Sequence, residues 1–458
     1  MIKENRVAKL LIQFFTYLNE EKINYCVLRN YEGYPETVGH DVDLIVEEDN
    51  QSSFENIINN LVKDGKWLLV KRVRRYSFCS YYFLIDSNSS HFERILKIDI
   101  WSTIHWKGIT YIDTEYLFNK SFLNKNIFYV PNPGVEAAIL LLKDLLQSGK
   151  VLEKYKKRIS EFALLEEEGF IKSIEKYIGK KKAKFIFTKV LESNWKCLEE
   201  NAIYLKLALV LKALGYRILR QGKTWIKFIY GHAIRYLKLK EGLFVVLIGP
   251  DGSGKSTLAR GITKSELGAQ LFTSIRYYHG RFGFIPQLRK FISIFDWCLK
   301  PKKKSIINNT LNTANVSFRL FRALIYPLYY SFDYFLGHFI ALKARATGEL
   351  IIFDRYFFDY MIQPHLINIP KWINHALLKI IPFPDVIFYL HNLPEVIQKR
   401  KPELTIKEIM RQSKKCKDLV ERLSNGFIIE TSCKPNEVIQ KIQMIIIDKL
   451  KEKQGIYI

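Results

Sequence analysis

The chain has 458 residues, a length that suits two to four domains, each large enough for its own core. Its 48% hydrophobic and 26% charged residues are those of an ordinary globular protein, which excludes a disordered or fibrous one. The formal net charge of +25 lies far from balance. The excess points to a polyanion, an anionic membrane surface or acidic substrates as partners, unless it only keeps the protein in solution.

Residues 3–19 are predicted as an amphipathic helix, with Val7, Leu10, Leu11, Phe14 and Leu18 at helical spacing. Charge resumes too soon after its apolar part for a signal peptide. A short apolar strand over residues 25–28 and a turn-rich loop with Gly33 and Pro35 lead to Gly39 and then to Asp41-Val42-Asp43-Leu44-Ile45-Val46. Residues two apart in a strand share a face, so Asp41 and Asp43 repel unless a cation lies between them. Such oxygen ligands suit Mg²⁺. Residues 66–76 and 78–85 read as strands, 86–90 as a turn, and the strand Ile95–Trp101 offers Asp99 as a third carboxylate.

From 131 to 240 the pattern is helical, and its lysine clusters (Lys154, Lys156, Lys157, Arg158; Lys180, Lys181, Lys182, Lys184) read as solvated faces. Nothing there names chemistry. Gly222, Gly231 and Gly242 mark loosened joints ahead of the next strand. Six cysteines lie scattered, without C-x-x-C pairs or histidines at zinc spacing, which argues for reduced, mostly buried thiols in a cytoplasmic protein.

The most specific motif starts at Leu243. An apolar run, Phe244 to Ile248, ends in Gly249-Pro250-Asp251-Gly252-Ser253-Gly254-Lys255-Ser256-Thr257. The spacing G-x-x-x-x-G-K-S, after a buried strand and before a helix, is that of a P-loop. Gly252 and Gly254 let successive amides turn inward around phosphate oxygens. Lys255 then reaches the β- and γ-phosphates, and Ser256 places a hydroxyl on Mg²⁺. A helix over residues 256–266 directs its positive end at the anion.

Farther on, residues 277–286 form an aromatic, cationic and glycine-rich loop, either packed inward or available to a flat ring or phosphate. Residues 301–315 are polar and expected to be mobile. A long aromatic helix over 316–346, broken or kinked at Pro327, contains residues 323–342, the best membrane candidate. Its Pro327, Asp333, His338 and tyrosines favour a buried or interfacial helix over a span. Then Leu350-Ile351-Ile352-Phe353-Asp354-Arg355 supplies a buried strand ending in an acid for Mg²⁺ and an arginine suited to a bidentate grip on phosphate. A strand over 384–390, a helix, the cationic lid-like Arg400-Lys401-Pro402-Glu403-Leu404 and a last strand over 426–432 complete the series.

GPDGSGKST, FDRY, PDVIFYL and RKPEL, in that order, resemble the thymidylate kinase family of P-loop kinases from about Leu243 to the C-terminus. The resemblance implies ATP and Mg²⁺ as cofactors, with Gly249 to Thr257 binding the nucleotide and Lys255 neutralising its phosphates. It further implies Asp354 and Ser256 at the metal, Asp251 on the acceptor sugar, Arg355 on the acceptor phosphate and Arg400 in the lid. Two segments depart: the Arg-Glu-Pro-Gly that frames a thymidine pocket is replaced by 277–286, and FFDYMIQPHL stands for the Ser/Thr-rich Tyr-Gln stretch. Residues 23–101 resemble the nucleotidyltransferase superfamily, in which Asp41, Asp43 and Asp99 would hold two metals. That likeness departs at His40, where Ser or Gly is usual.

The expectation is therefore an α/β chain in three parts: a nucleotidyltransferase-like α+β domain over 1–130, a helical connecting module over 131–240 and a P-loop kinase-type parallel sheet with flanking helices over 241–458. Its expected activity is phosphoryl transfer from ATP to dTMP or a related small acceptor. The alternatives are a bifunctional nucleotidyltransferase and kinase of surface-polysaccharide synthesis with a sugar-type acceptor, or a non-catalytic nucleotide switch at a membrane. No transmembrane segment is expected, and the protein is expected to be cytoplasmic, with a peripheral membrane role open.

Overall fold

A computed structural model describes residues 6–39, 41–63, 67–75, 78–84, 95–214, 218–286, 312–362 and 376–456. The chain divides into two compact units, Met1–Ile234 and Arg235–Tyr457. His40 and the 86–90 turn, both singled out in the sequence, lie outside the described residues, as do 301–311 of the polar stretch.

The first unit is built on a five-stranded mixed sheet of β1 (Tyr25–Val27), β2 (Asp41–Val46), β3 (Leu68–Arg75), β4 (Phe78–Leu84) and β5 (Ile95–Trp101), in the order β1-β2-β5-β4-β3. Among the described residues, only β2 and β5 pair in parallel. That pairing puts Asp43 beside Asp99 and Asp41 beside Lys97. One face is covered by the helices Arg6–Glu20 and Gln51–Lys63, whose Phe14 and Phe54 rings meet edge to face 5.8 Å apart.

Two short ribbons follow, β6 (His105–Trp106) with β7 (Ile109–Thr110) and β8 (Phe122–Asn124) with β9 (Phe128–Val130). Next comes the helix Pro133–Gln147, with proline in its first turn and the Asn132 side chain accepting the Gly134 N–H at 3.0 Å. This helix is apolar nearly all round, and such a helix is stable only when buried. Val135, Leu140, Leu141 and Leu142 share one core with Cys26, Leu28 and Ile45 of the sheet region. The helical segment is thus continuous with the sheet's core within one unit. Its most deeply buried carboxylate, Glu136, accepts the Tyr31 O–H at 2.6 Å and pairs with Arg158 at 2.6 Å.

The second unit is a five-stranded, all-parallel sheet: β10 (Leu243–Ile248), β11 (Ile275–His279), β12 (Leu350–Asp354), β13 (Val386–His391) and β14 (Gly426–Glu430), in the order β11-β12-β10-β13-β14. Strands β10 and β12 are buried along their whole length, the pattern of central strands covered on both faces. Because the chain leaves β10 and continues on either side of it, the carboxyl ends of β10, β12 and β13 open at a topological switch point, where such sheets bind ligands.

Two local expectations change. Residues 277–279, read as loop, form the end of β11; Tyr278 stacks on Phe353 at 5.1 Å, so the aromatics bind an edge strand to the sheet. The long helix runs unbroken from Asn312 to Thr347, through Pro327 and through residues 312–315 of the polar stretch. Its buried Asp333 accepts the N–H groups of Gly283 and Ile285, both at 3.0 Å. Among the described residues, no helix is long and apolar enough to cross a membrane.

Candidate functional site

In the second unit, β10 delivers the chain into the P-loop and the helix Lys255–Thr263 carries it away. Gly252 adopts φ +92°, and a Cβ there would also approach the Ile397 carbonyl to 2.9 Å. Gly254, at φ +99°, is the residue on which the helix starts. A helix start leaves N–H groups without intrahelical acceptors and carries a partial positive charge, so this edge favours an anion. The Lys255 ammonium is buried, donates to the Gly249 and Pro250 carbonyls at 2.7 and 2.9 Å, and lies 3.6 Å from Asp251.

Parallel pairing of β10 with β12 sets Asp354 opposite Leu247, at the same end of the sheet. One Asp354 carboxylate oxygen, Oδ2, accepts the Ser256 hydroxyl and the Tyr277 hydroxyl, the latter at 3.1 Å, with His279 Nδ1 3.6 Å away. The other, Oδ1, is buried without a hydrogen-bond partner among the described residues. An orphaned carboxylate oxygen beside a serine hydroxyl is a hard oxygen donor set, and it fits Mg²⁺.

Arg355 sits at φ +67°, a conformation a bulky residue adopts only under constraint. The constraint is visible: its Nη2 donates to both Asp251 oxygens, at 2.5 and 2.6 Å. Lys401 reaches the same carboxylate at 3.5 Å. Burial works against the charged form of Asp251, yet Lys255, Arg355 and Lys401 outweigh it and hold its carboxyl below the usual range. The loop thus carries one acid ringed by three cations, a surplus of positive charge suited to phosphate.

These residues line one cavity of about 540 Å³, walled by Asp251–Leu258, His279, Asp354, Arg355, Arg400 and Lys401, and by Thr431, Cys433, Pro435 and Val438. It brings together Asp251 to Thr257, Asp354, Arg355 and Arg400, all nominated in the sequence; Gly249 lies just behind it, its carbonyl taken by Lys255. Arg400 is exposed at the end of the helix Pro394–Arg400, and its neighbour Lys401 is the residue that reaches Asp251.

Sequence reasoning missed His279 and Tyr277 on Asp354, Thr431 behind the P-loop and Asp359. The Thr431 hydroxyl donates to the His391 carbonyl at 3.0 Å and sits 3.4 Å from the Ser253 carbonyl, bracing the loop from the end of β14. Its position just past a strand's carboxyl end was the available signal. Asp359 is buried, and desolvation lifts its pKa to about 6, partly opposed by Lys255 and Arg355. Five residues after Asp354, it offered no local pattern to find.

The first unit holds the other nominated acids. One oxygen each of Asp41, Asp43 and Asp99 lies within 4.8 Å of the others. Two cations accompany them: Arg29 Nε meets Asp43 Oδ2 at 2.6 Å, and Lys97 Nζ meets Asp99 Oδ2 at 2.6 Å and Asp41 Oδ2 at 3.9 Å. Ser80 donates to the remaining Asp99 oxygen at 2.8 Å. Burial raises the Asp99 pKa against the opposing pull of Lys97 and Ser80. Burial likewise disfavours charge on Lys97, but Asp99 and Asp41 outweigh it and keep the amine protonated. Three carboxylates thus meet two side-chain cations, and a divalent ion held by all three would compete with Lys97 for Asp99 and Asp41.

No family model matches this chain, and no curated protein matches it. Among solved structures, the chain is similar to a thymidylate kinase from Ehrlichia chaffeensis, at 13% identity and a TM-score of 0.30, over 45% of this chain and 98% of that one.

Proposed function

We propose that the second unit is an ATP- and Mg²⁺-dependent phosphotransferase that moves the γ-phosphoryl group of ATP to a small acceptor, dTMP or a related phosphorylated or hydroxylated compound. The observation that supports this reading is the convergence of Lys255, Ser256, Asp354 and the Asp251–Arg355–Lys401 cluster on one cavity at the sheet's switch point. A phosphate site that served only as a switch would have no use for a second group of cations.

Phosphoryl transfer asks little covalent chemistry of the protein, so catalysis is positioning and charge stabilisation. Lys255 exchanges its loop carbonyls for the β- and γ-phosphate oxygens. Ser256 and Asp354 would hold Mg²⁺, which supplies charge neutralisation of the polyphosphate. Arg355 aims the acceptor, and Arg400 with Lys401 closes from the helix Pro394–Arg400 over the transferring group. The acceptor oxygen forms a bond to phosphorus as the bond to the ADP oxygen breaks, and where the acceptor is a hydroxyl its proton leaves to solvent.

The test is a screen of labelled ATP against nucleoside monophosphates, sugars and sugar alcohols, with products identified by mass. Labelled product that requires Lys255 supports the reading; absence of any transfer with folded protein overturns it.

A second reading, nucleotidyl transfer by the first unit, is favoured by the register that sets Asp43 beside Asp99. Its signature would be metal-dependent pyrophosphate release that disappears in Asp43→Ala.

A further inference from the structure

From Ala202 to Lys240 the chain contains no aspartate or glutamate, but nine lysines and arginines: Lys206, Lys212, Arg217, Arg220, Lys223, Lys227, Arg235, Lys238 and Lys240. In a chain with 46 acidic residues, so long an acid-free run is a concentrated positive segment. It forms two helices, Ala202–Leu214 and Ile218–Lys238.

The first helix packs inward through Ala202, Leu205, Leu209 and Ala213. Its other face is also apolar: Ile203, Leu207, Leu211 and Leu214, at spacings of four, four and three residues, share one side and are exposed, Leu207 by 51% and Leu211 by 67%. The second helix rests its inner face on the ribbon of β6 and β7, where the Phe228 and His105 rings meet edge to face at 5.8 Å and Trp225 closes on Gly108. On its outer side Ile226, Ile229 and Tyr230 stand in solvent, Ile226 by 69% and Ile229 by 66%. A monomer gains nothing by exposing large aliphatic side chains in rows.

We propose that these two helices dock the protein on an anionic lipid bilayer, lying in the interface with the aliphatic rows in the acyl boundary and the cations at the headgroups. The pairing of Ile and Leu rows with lysines and no acid is the chemistry of an in-plane membrane helix. Neither helix is apolar enough to span. Nucleic acid would use the cations but leaves the aliphatic rows wet. Lys227 pairs with Glu48 at 3.3 Å and Arg235 with Glu241 at 3.4 Å, which leaves the run with a net excess of cations. A second copy of the chain would bury the rows but, in a two-fold interface, would set that same excess against itself. The bilayer satisfies both features, and it stands independently of the kinase reading.

Flotation of the full chain with vesicles of phosphatidylcholine alone, and of phosphatidylcholine mixed with phosphatidylglycerol, tests it. The protein should float with the anionic vesicles, weakly with the neutral ones, and release as salt rises. Leu207→Glu with Leu211→Glu, or Ile226→Glu with Ile229→Glu, should lower partitioning by about tenfold or more, since each pair removes two aliphatic side chains from the acyl boundary. Lys206→Gln and Lys212→Gln should each lower it about fivefold. All these side chains are at least partly exposed, and an unchanged circular dichroism spectrum and melting temperature identify the folded variants on which flotation is compared. The proposal is overturned by equal flotation with both vesicles or none with either. It is equally overturned by glutamate variants that float like the parent, by a dimer in light scattering that those variants dissociate, or by oligonucleotide binding that they leave intact while flotation is absent.

Discussion

The two units each place carboxylates on the strands of a sheet, yet they treat charge in opposite ways. In the first, Asp43 and Asp99 come from adjacent parallel strands in direct register, and the cations that meet them, Arg29 and Lys97, belong to the same sheet region and close to 2.6 Å. In the second, a single strand-end acid, Asp354, keeps a buried oxygen without a partner among the described residues while Lys255, Arg355 and Lys401 gather around Asp251 beside a 540 Å³ cavity. Carboxylates forced together by strand register need a counter-charge from the moment the sheet forms. A carboxylate delivered beside a loop leaves that requirement to whatever enters. An acid triad therefore speaks of metal only after its neighbours have been counted.

The comparison is broken most severely by Lys255→Ala, which should lower phosphoryl transfer by about a thousandfold or more while leaving the melting temperature within a few degrees. Full turnover in that variant would remove the second unit from consideration as a kinase. Arg355→Lys is expected to lose about tenfold to a hundredfold in kcat/KM for the acceptor, with KM for ATP little changed, because an ammonium lacks the fork that grips two oxygens. An equal rise in both KM values would show that Arg355 serves the nucleotide instead.

Asp359 sharpens the contrast from the side of stability. Its pKa is raised to about 6 in the fold from an ordinary 3.8, so the native state binds the proton more tightly than the unfolded chain. That contribution is complete below the unfolded value and is lost as pH rises through the folded one. Asp359→Asn should therefore stabilise the protein at neutral pH by about 2–3 kcal/mol and flatten the pH dependence over that interval, measured by urea unfolding at a series of pH values. The smallest effect expected is in the first unit. Lys97→Met removes the cation shared by Asp99 and Asp41 and should tighten Mn²⁺ binding to the triad by about tenfold, read by calorimetry. Unchanged affinity would mean that Arg29 alone balances the acids.

Much of the architecture was legible because buried strands announce themselves as apolar runs: Ile95–Trp101 and the strand into Gly249 stand where the sequence placed them. The β11 edge strand was not, since Tyr277 and Tyr278 followed by glycines carry a loop's composition, and the pairing with β12 that makes them a strand is long-range. The P-loop cluster could be nominated from spacing alone. Arg29 and Lys97 could not, because nothing local says that register will lay them against Asp43, Asp99 and Asp41. Asp359 was silent for the same reason: its perturbation comes from burial, a property of the fold and not of its neighbours in sequence.

The long helix Asn312–Thr347 leaves one more consequence. Its Asp333 takes two backbone N–H groups from residues 283 and 285, Tyr334 donates to the Gly280 carbonyl, and a side chain on Gly337 would run into the Phe282 ring at 2.2 Å. The segment after β11 is thus cast against the helix like plaster in a mould. Its shape is written in the helix, and a single methyl at Gly337 should recontour the wall beside His279 more than most exchanges within the loop itself.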